Sequence, residues 1–211
     1  MSELEIASIA EKVSRIDGFG GRIRMRRWPM DCDRAVVVSG RSGGIPSFFD
    51  SAVGGSGSSP TSPLGAGHRK IRDGEPVLVD LVHVHRGYVS DCTRMFSSGA
   101  MSKEWAQRLE DMAQISDLVV SKLGAGGSCS EAWHEGKSLS AELGYDHHLM
   151  GMPPHQARFL GHSVGLELDE SPVVAGGFDR PMHTGCTMAI EPKVVFGDGA
   201  IGIEDTWVAT K

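Results

Sequence analysis

Apolar residues recur along the chain with two periods, and these set out most of the elements. Residues 2–16 place Ile6, Ile9, Val13 and Ile16 at spacings of three and four, which predicts an amphipathic surface helix. Ser2 stands where an N-cap belongs, and Glu5 completes a capping box. Arg22–Arg27 alternates basic and apolar positions and reads as a strand with a solvated basic face. Ala35–Ser39 reads as a short buried strand. Val77–Val84 is a strand, Gly87–Tyr88 a turn, and Tyr88–Phe96 the returning strand. Ser102–Leu123 carries Trp105, Leu109, Met112, Ile115, Leu118 and Val119 on one helical face. A second helix runs from Ser130 to Leu143 and stops at Gly144. Beyond residue 158 the pattern is strand-rich, at Val164–Leu168, Met188–Ile190, Val194–Phe196 and Thr206–Ala209. Helices lie between strand pairs without regular βαβ alternation, so the expected class is α+β with an antiparallel sheet.

The length of 211 residues fits one domain, or at most two small ones. With 40% apolar and 23% charged residues, disorder of the whole chain is excluded. The formal net charge of −6 argues against a general nucleic-acid binder. No apolar run is long enough to span a bilayer, so no membrane partner is expected. The first twenty residues carry Glu3, Glu5, Glu11 and Asp17 without an apolar core and do not read as a secretory leader. Cys32, Cys92, Cys129 and Cys186 form no CxxC pair, which suits a reducing cytoplasm better than a disulfide framework. Residues 39–67 are rich in Gly, Ser and Pro, and Gly54–Pro63 reads as a linker or as a long loop bordering a site. No Gly-Lys-Ser/Thr follows GGSGSS, so it is not a phosphate-binding loop.

The chemistry lies in acids set inside apolar strands. Asp80 interrupts VLVDLV, Asp91 lies in the next strand, Glu191 follows MAI, and Glu204 closes GIGIE. A bare carboxylate buried in a sheet is costly and needs a partner. A metal ion satisfies several at once, while strand ends facing water are the alternative for any single one. Pairing across Arg86–Gly87 brings Asp80 and Asp91 to one end or one face of the sheet. With His162 in a Gly-flanked turn, the set is rich in oxygen and carries one imidazole. That suits Mn2+, Co2+, Fe2+ or Zn2+ rather than a closed structural zinc site.

Four segments then carry a resemblance. DLVHVHRGYVSDCTRMF (80–96), GHSVGLELDESP (161–172), TMAIEPKVVF (187–196) and GIGIEDTWVAT (200–210) resemble, in order, the metal-binding motifs of metallopeptidase family M24. That family includes methionine aminopeptidases, Xaa-Pro aminopeptidases, Xaa-Pro dipeptidases and creatinase. The resemblance implies the pita-bread fold, a curved antiparallel sheet flanked by helices. It also implies two divalent ions, Mn2+ or Co2+ favoured, with Zn2+ and Fe2+ open. Asp80 would chelate one ion, Asp91 and Glu204 would bridge both, and His162 and Glu191 would complete the other. Water shared by the ions would attack the peptide carbonyl, with Glu191 as proton shuttle. All five ligand identities are in place.

Two positions depart from the family pattern. Leu64, in Pro63-Leu64-Gly65, and Asp169 stand where substrate-contacting His residues are expected. Asp169 is carried forward as a catalytic candidate, although an ionised Asp cannot donate to an oxyanion. His83, His85 and His155 are alternative donors that read more simply as surface or core histidines, and His147–His148 reads as a solvated loop pair. Relative to the family, residues 1–211 are expected to be a catalytic domain lacking its first helix and any N-terminal domain, and open to homodimerisation through the apolar surface this exposes. The expected function is a cytoplasmic two-metal aminopeptidase or dipeptidase for small Xaa-Pro-like peptides. The alternative is a metal-binding pita-bread protein with lost or non-peptidase activity.

Overall fold

The computed structural model describes residues 1–26, 35–47, 50–124 and 126–210. Arg27 and Cys32 therefore lie outside the described residues. Helix α1 (Glu3–Ile16) begins at the Ser2–Glu5 capping box. Its buried face takes in Ile6 but not the rest of the expected stripe. Ala7 packs with Leu4, Ile6 and Ala10 against Ala35, Val37 and Val77, while Ile9, Val13 and Ile16 are 52%, 61% and 76% exposed. The buried carboxylate of Glu3 turns the helix this way. Glu3 Oε1 accepts from Ser39 N (2.8 Å), Ser39 Oγ (2.8 Å) and Ser42 Oγ, and Oε2 accepts from Gly67 N (3.2 Å).

Strand β1 (Ala35–Ser39), β2 (Val77–His85) and β3 (Tyr88–Phe96) form an antiparallel sheet in that order. The β2–β3 turn has Arg86 at φ 52° and Gly87 at φ 90°, the two positive values that a tight twisted hairpin requires. Segment 22–26 is not a strand. Its alternation is real, with Arg22, Arg24 and Arg26 exposed and Ile23 and Met25 half-buried. It is held through single bonds such as Leu168 N to Arg24 O (2.8 Å) rather than by a ladder.

Helices α2 (Lys103–Gly124) and α3 (Cys129–Glu142) pack together over the main core. Met112, Ile115 and Val119 of α2 are fully buried and meet Leu160, Met188, Ile190, Val194 and Ile201. Each such side chain stabilises by about 1.5–3 kcal/mol on burial. Gly136 permits the close approach of α3, since a Cβ there would stand 2.6 Å from Leu160 Cδ1 and 2.9 Å from Val119 Cγ2.

The remaining strands are β4 (Gly161–Ser163), β5 (Glu170–Val173), β6 (Thr187–Ile190), β7 (Lys193–Phe196), β8 (Gly199–Gly202) and β9 (Asp205–Val208). They pair as a four-stranded sheet, β5-β4-β6-β9, and a β7–β8 hairpin. A bridge between Thr93 and Glu204 joins β3 to the chain entering β9. The strand expected at Val164–Leu168 is a correction, because β4 ends at Ser163. Glu170 Oε1 accepts from Leu166 N (2.7 Å) and Glu167 N (2.9 Å), which closes a turn there instead. Gly54–Pro63 lies in an ordered loop, not a linker. Gly54 N bonds to Ile45 O (2.9 Å) and Gly65 N to Gly54 O (2.7 Å), and a Cβ on Gly55 would fall 2.2 Å from Gly65 O. The glycines serve close backbone contact there. His148 is also corrected: its Nδ1 lies 2.8 Å from Val195 O, and its ring stacks on Phe196 at 4.2 Å.

Candidate metal centre

The β2–β3 register sets Asp80 opposite Thr93 and Val82 opposite Asp91. Side chains alternate along a strand, so Asp80 and Asp91 share one face as diagonal neighbours. His83 and His85 take the other face. His83 Nδ1 lies 2.6 Å from Ser14 Oγ, and His83 Nε2 lies 3.3 Å from Asp17 Oδ2.

The Thr-Arg pair after Asp91 holds the last acidic segment in place. Thr93 Oγ1 donates to Glu204 Oε2 (2.8 Å), and Arg94 donates to Glu204 O (2.7 Å) and Asp205 Oδ1 (2.5 Å). Thr206 Oγ1 donates to Asp91 O (2.9 Å), so β3 and β9 fix each other's acids. Gly161 lets β4 lie close on β6, because a Cβ there would meet Ala189 O at 2.3 Å. This sets His162 opposite Ala189, with Nδ1 3.2 Å from Ser163 O. His162 Nε2 points into the cluster, 3.3 Å from Glu191 Oε1 and 3.9 Å from Asp91 Oδ2.

A sixth charged group enters the cluster that the sequence reading missed. The ammonium of Lys193 lies 2.5 Å from Glu191 Oε2, 2.9 Å from Glu204 Oε2 and 3.4 Å from Asp80 Oδ2. Its side chain is only 2% exposed. The available signal was the same as for the acids: a charged residue opening an apolar strand, directly after Glu191-Pro192.

Four carboxylates thus surround one ammonium and one imidazole, and their proton affinities spread apart. Burial and the neighbouring Glu204 push Asp91 well above the usual carboxylate range. Burial and Glu191 push Glu204 up to about 8. Burial would raise Glu191 too, but Lys193 and His162 bring it down to about 2. Burial disfavours charge on His162, yet the contact with Glu191 wins and lifts it to about 9.

Asp91, His162 and Glu204 offer three ligand atoms within 4.8 Å of one another. Asp91 Oδ1 and Glu204 Oε1 are buried with no hydrogen-bond partner. Such orphaned oxygens are rare and costly, and a divalent cation satisfies them. The residues present therefore fit one metal ion at this place. Asp80 and Glu191 instead face the ammonium.

Asp80, Asp91, His162, Glu191 and Glu204 line a cavity of about 730 Å³. Apolar walls come from Met25, Val36, Val53, Phe159 and Phe178. Leu64 and Asp169 also line it, and Asp169 Oδ1 accepts from Arg26 N at 3.0 Å. The glycine-rich loop borders the cavity through Ser51, Gly54, Thr61 and Pro63. His155 and His68 are exposed and do not line it.

The profile of metallopeptidase family M24 matches residues 1–211, and the chain belongs to that family. Its fold is the pita-bread α+β fold. The X-Pro aminopeptidase of Thermotoga maritima MSB8 superposes with a TM-score of 0.79 at 22% identity, over 100% of this chain and 51% of that one. The prolidase of Pyrococcus horikoshii OT3 superposes at 0.77 and 23% identity, over 100% of this chain and 52% of that one. In sequence, the chain is 26% identical over 186 residues to an Xaa-Pro dipeptidase of Lactobacillus delbrueckii subsp. lactis, covering 85% of this chain and 49% of that protein. It is 28% identical over 165 residues to an Xaa-Pro dipeptidase of Pyrococcus horikoshii, covering 77% of this chain and 45% of that protein. The chain thus spans about half the length of the curated relatives it matches. The same fold also occurs in the N-terminal domain of the FACT complex subunit SPT16 from chickpea, with a TM-score of 0.66 at 13% identity, over 97% of this chain and 47% of that one.

Proposed function

We propose that residues 1–211 are the catalytic domain of a metal-dependent peptidase that releases the N-terminal residue of short peptides, with Xaa-Pro dipeptides as the substrate class. One observation carries the reading: a buried acidic cluster with orphaned oxygens on Asp91 and Glu204 lines a cavity with largely apolar walls. Family membership and relatives named Xaa-Pro dipeptidase support it.

Asp91, His162 and Glu204 would hold the ion. A divalent ion there supplies Lewis acidity toward a peptide carbonyl and toward water. Glu191, held by the Lys193 ammonium at Oε2, would accept a proton at Oε1. Thr93 and Arg94 orient Glu204. The apolar walls exclude water and take up a small side chain or a proline ring. Asp169 sits in the same cavity and meets the substrate as an acceptor rather than a donor. A cytoplasmic setting belongs to the same proposal. Cys92, Cys129 and Cys186 are free, and among the described residues no helix is long and apolar enough to cross a membrane.

The test is hydrolysis of a panel of Xaa-Pro dipeptides by the whole chain with Mn2+ or Co2+, against Glu191→Gln. Metal-dependent cleavage lost in the variant is expected; no cleavage of any peptide with metal bound contradicts the proposal. Leu64, placed in the cavity wall where the family resemblance puts a histidine, favours the second reading of a metal-binding domain without hydrolysis. Bound metal without turnover would select it.

A further inference from the structure

We propose that Lys193 is a built-in cation that takes the place of a second metal ion, so that the centre holds a single divalent ion at Asp91, His162 and Glu204. The inference rests on the metal-dependent reading above and concerns how many ions that site accepts.

Three observations carry it. The ammonium stands among Asp80, Glu191 and Glu204 at 3.4, 2.5 and 2.9 Å, the positions a cation bridging those carboxylates would take. The side chain has no alternative route. Lys193 opens β7, pairs with Gly202 of β8, and is 1% exposed. Its stem runs so close over Gly202 that a Cβ there would meet Lys193 Cγ at 2.4 Å, so the glycine opens the channel that the stem fills. Finally, the carboxylate oxygens divide. Those on the lysine side are paired with it, while Asp91 Oδ1 and Glu204 Oε1 on the His162 side have no partner. An ion on Asp80 Oδ2 would press against the ammonium 3.4 Å from that oxygen, like charge against like in a dry site.

A lysine differs in chemistry from the ion it replaces: it donates hydrogen bonds and holds Glu191 in place but supplies no Lewis acidity.

The experiment is Mn2+ binding to the whole chain by equilibrium dialysis with elemental analysis, combined with electron paramagnetic resonance of the bound Mn2+. The wild type is expected to bind one ion per chain with the six-line spectrum of an isolated Mn2+. Lys193→Met, which keeps the length and removes the charge, should bind a second ion and show an exchange-coupled pair, whereas Lys193→Arg should stay at one. Two ions in the wild type overturn the inference and leave the metal-dependent reading standing. So does a Lys193→Met protein, folded by circular dichroism, that still binds one. If Lys193→Met does not fold, the wild-type stoichiometry and Lys193→Arg still decide. No ion in any of the proteins overturns the metal-dependent reading together with the inference.

Discussion

Glu3 offers a test of how this fold handles buried charge away from the proposed centre. Its carboxylate is 0% exposed and accepts from Ser39 N, Ser39 Oγ, Ser42 Oγ and Gly67 N. In Glu3→Ala, two donors have a fallback. Ser39 N also reaches Ser42 Oγ (3.0 Å), and Ser42 Oγ also reaches Ser39 O (2.9 Å). The Ser39 hydroxyl also has Glu75 as a partner, so the Gly67 N–H is the donor left without its acceptor. At about 1–3 kcal/mol for a stranded buried donor, the loss comes to about 1–3 kcal/mol, before the cavity left by the side chain is counted. Glu5→Ala is the control. It removes the exposed half of the capping box and should cost less than Glu3→Ala. Urea unfolding followed by tryptophan fluorescence measures both. A Glu3→Ala loss below about 1 kcal/mol, or one equal to that of Glu5→Ala, would refute the reasoning. Gly67 continues the loop carrying Leu64, so the variant should also loosen the cavity wall, read as faster proteolysis within residues 54–67.

Other expectations follow from the same structure. Thr93→Val keeps the shape but removes the hydroxyl bonded to Glu204, and metal affinity measured by titration calorimetry should fall about 10–100-fold. Gly136→Val forces a side chain into Leu160 and Val119, and a denaturant midpoint should report about 1–3 kcal/mol of lost stability. Burial and the hydrogen bond to Asp111 push the Tyr145 phenol from 10.0 to about 12. The folded chain therefore keeps a proton between those values that the unfolded chain releases. Its stabilising contribution is full below pH 10 and lost as pH rises toward 12, and Tyr145→Phe should flatten that limb of a stability-against-pH curve.

The parts legible in the sequence were those governed by local chemistry. The capping box at Ser2 and Glu5 and the strands at 35–39 and 88–96 need only neighbours in sequence, and they stand as expected. The common face of Asp80 and Asp91 followed from a tight hairpin. What failed depended on distant partners. Ile9, Val13 and Ile16 of α1 face outward because Glu3 is captured by Ser39, Ser42 and Gly67, and nothing near residue 3 announces those donors. The strand expected at 164–168 lost to a turn closed by the side chain of Glu170. Strands β5 and β8 were not foreseen, since ESPV and GAIG lack the length and alternation that mark a strand. The loop rich in Gly and Ser looks flexible by composition and is tied down by backbone contact. Lys193 opens an apolar strand just as the acids interrupt theirs, but a base carries no metal-ligand signal, and its place among the acids depends on the β7–β8 pairing.

The most direct measurement is the anomalous diffraction of crystals of this chain grown with Mn2+. The account expects one peak, bounded by Asp91, His162 and Glu204, with the Lys193 ammonium still on Asp80 and Glu191. The absence of any peak at the acidic cluster would contradict it.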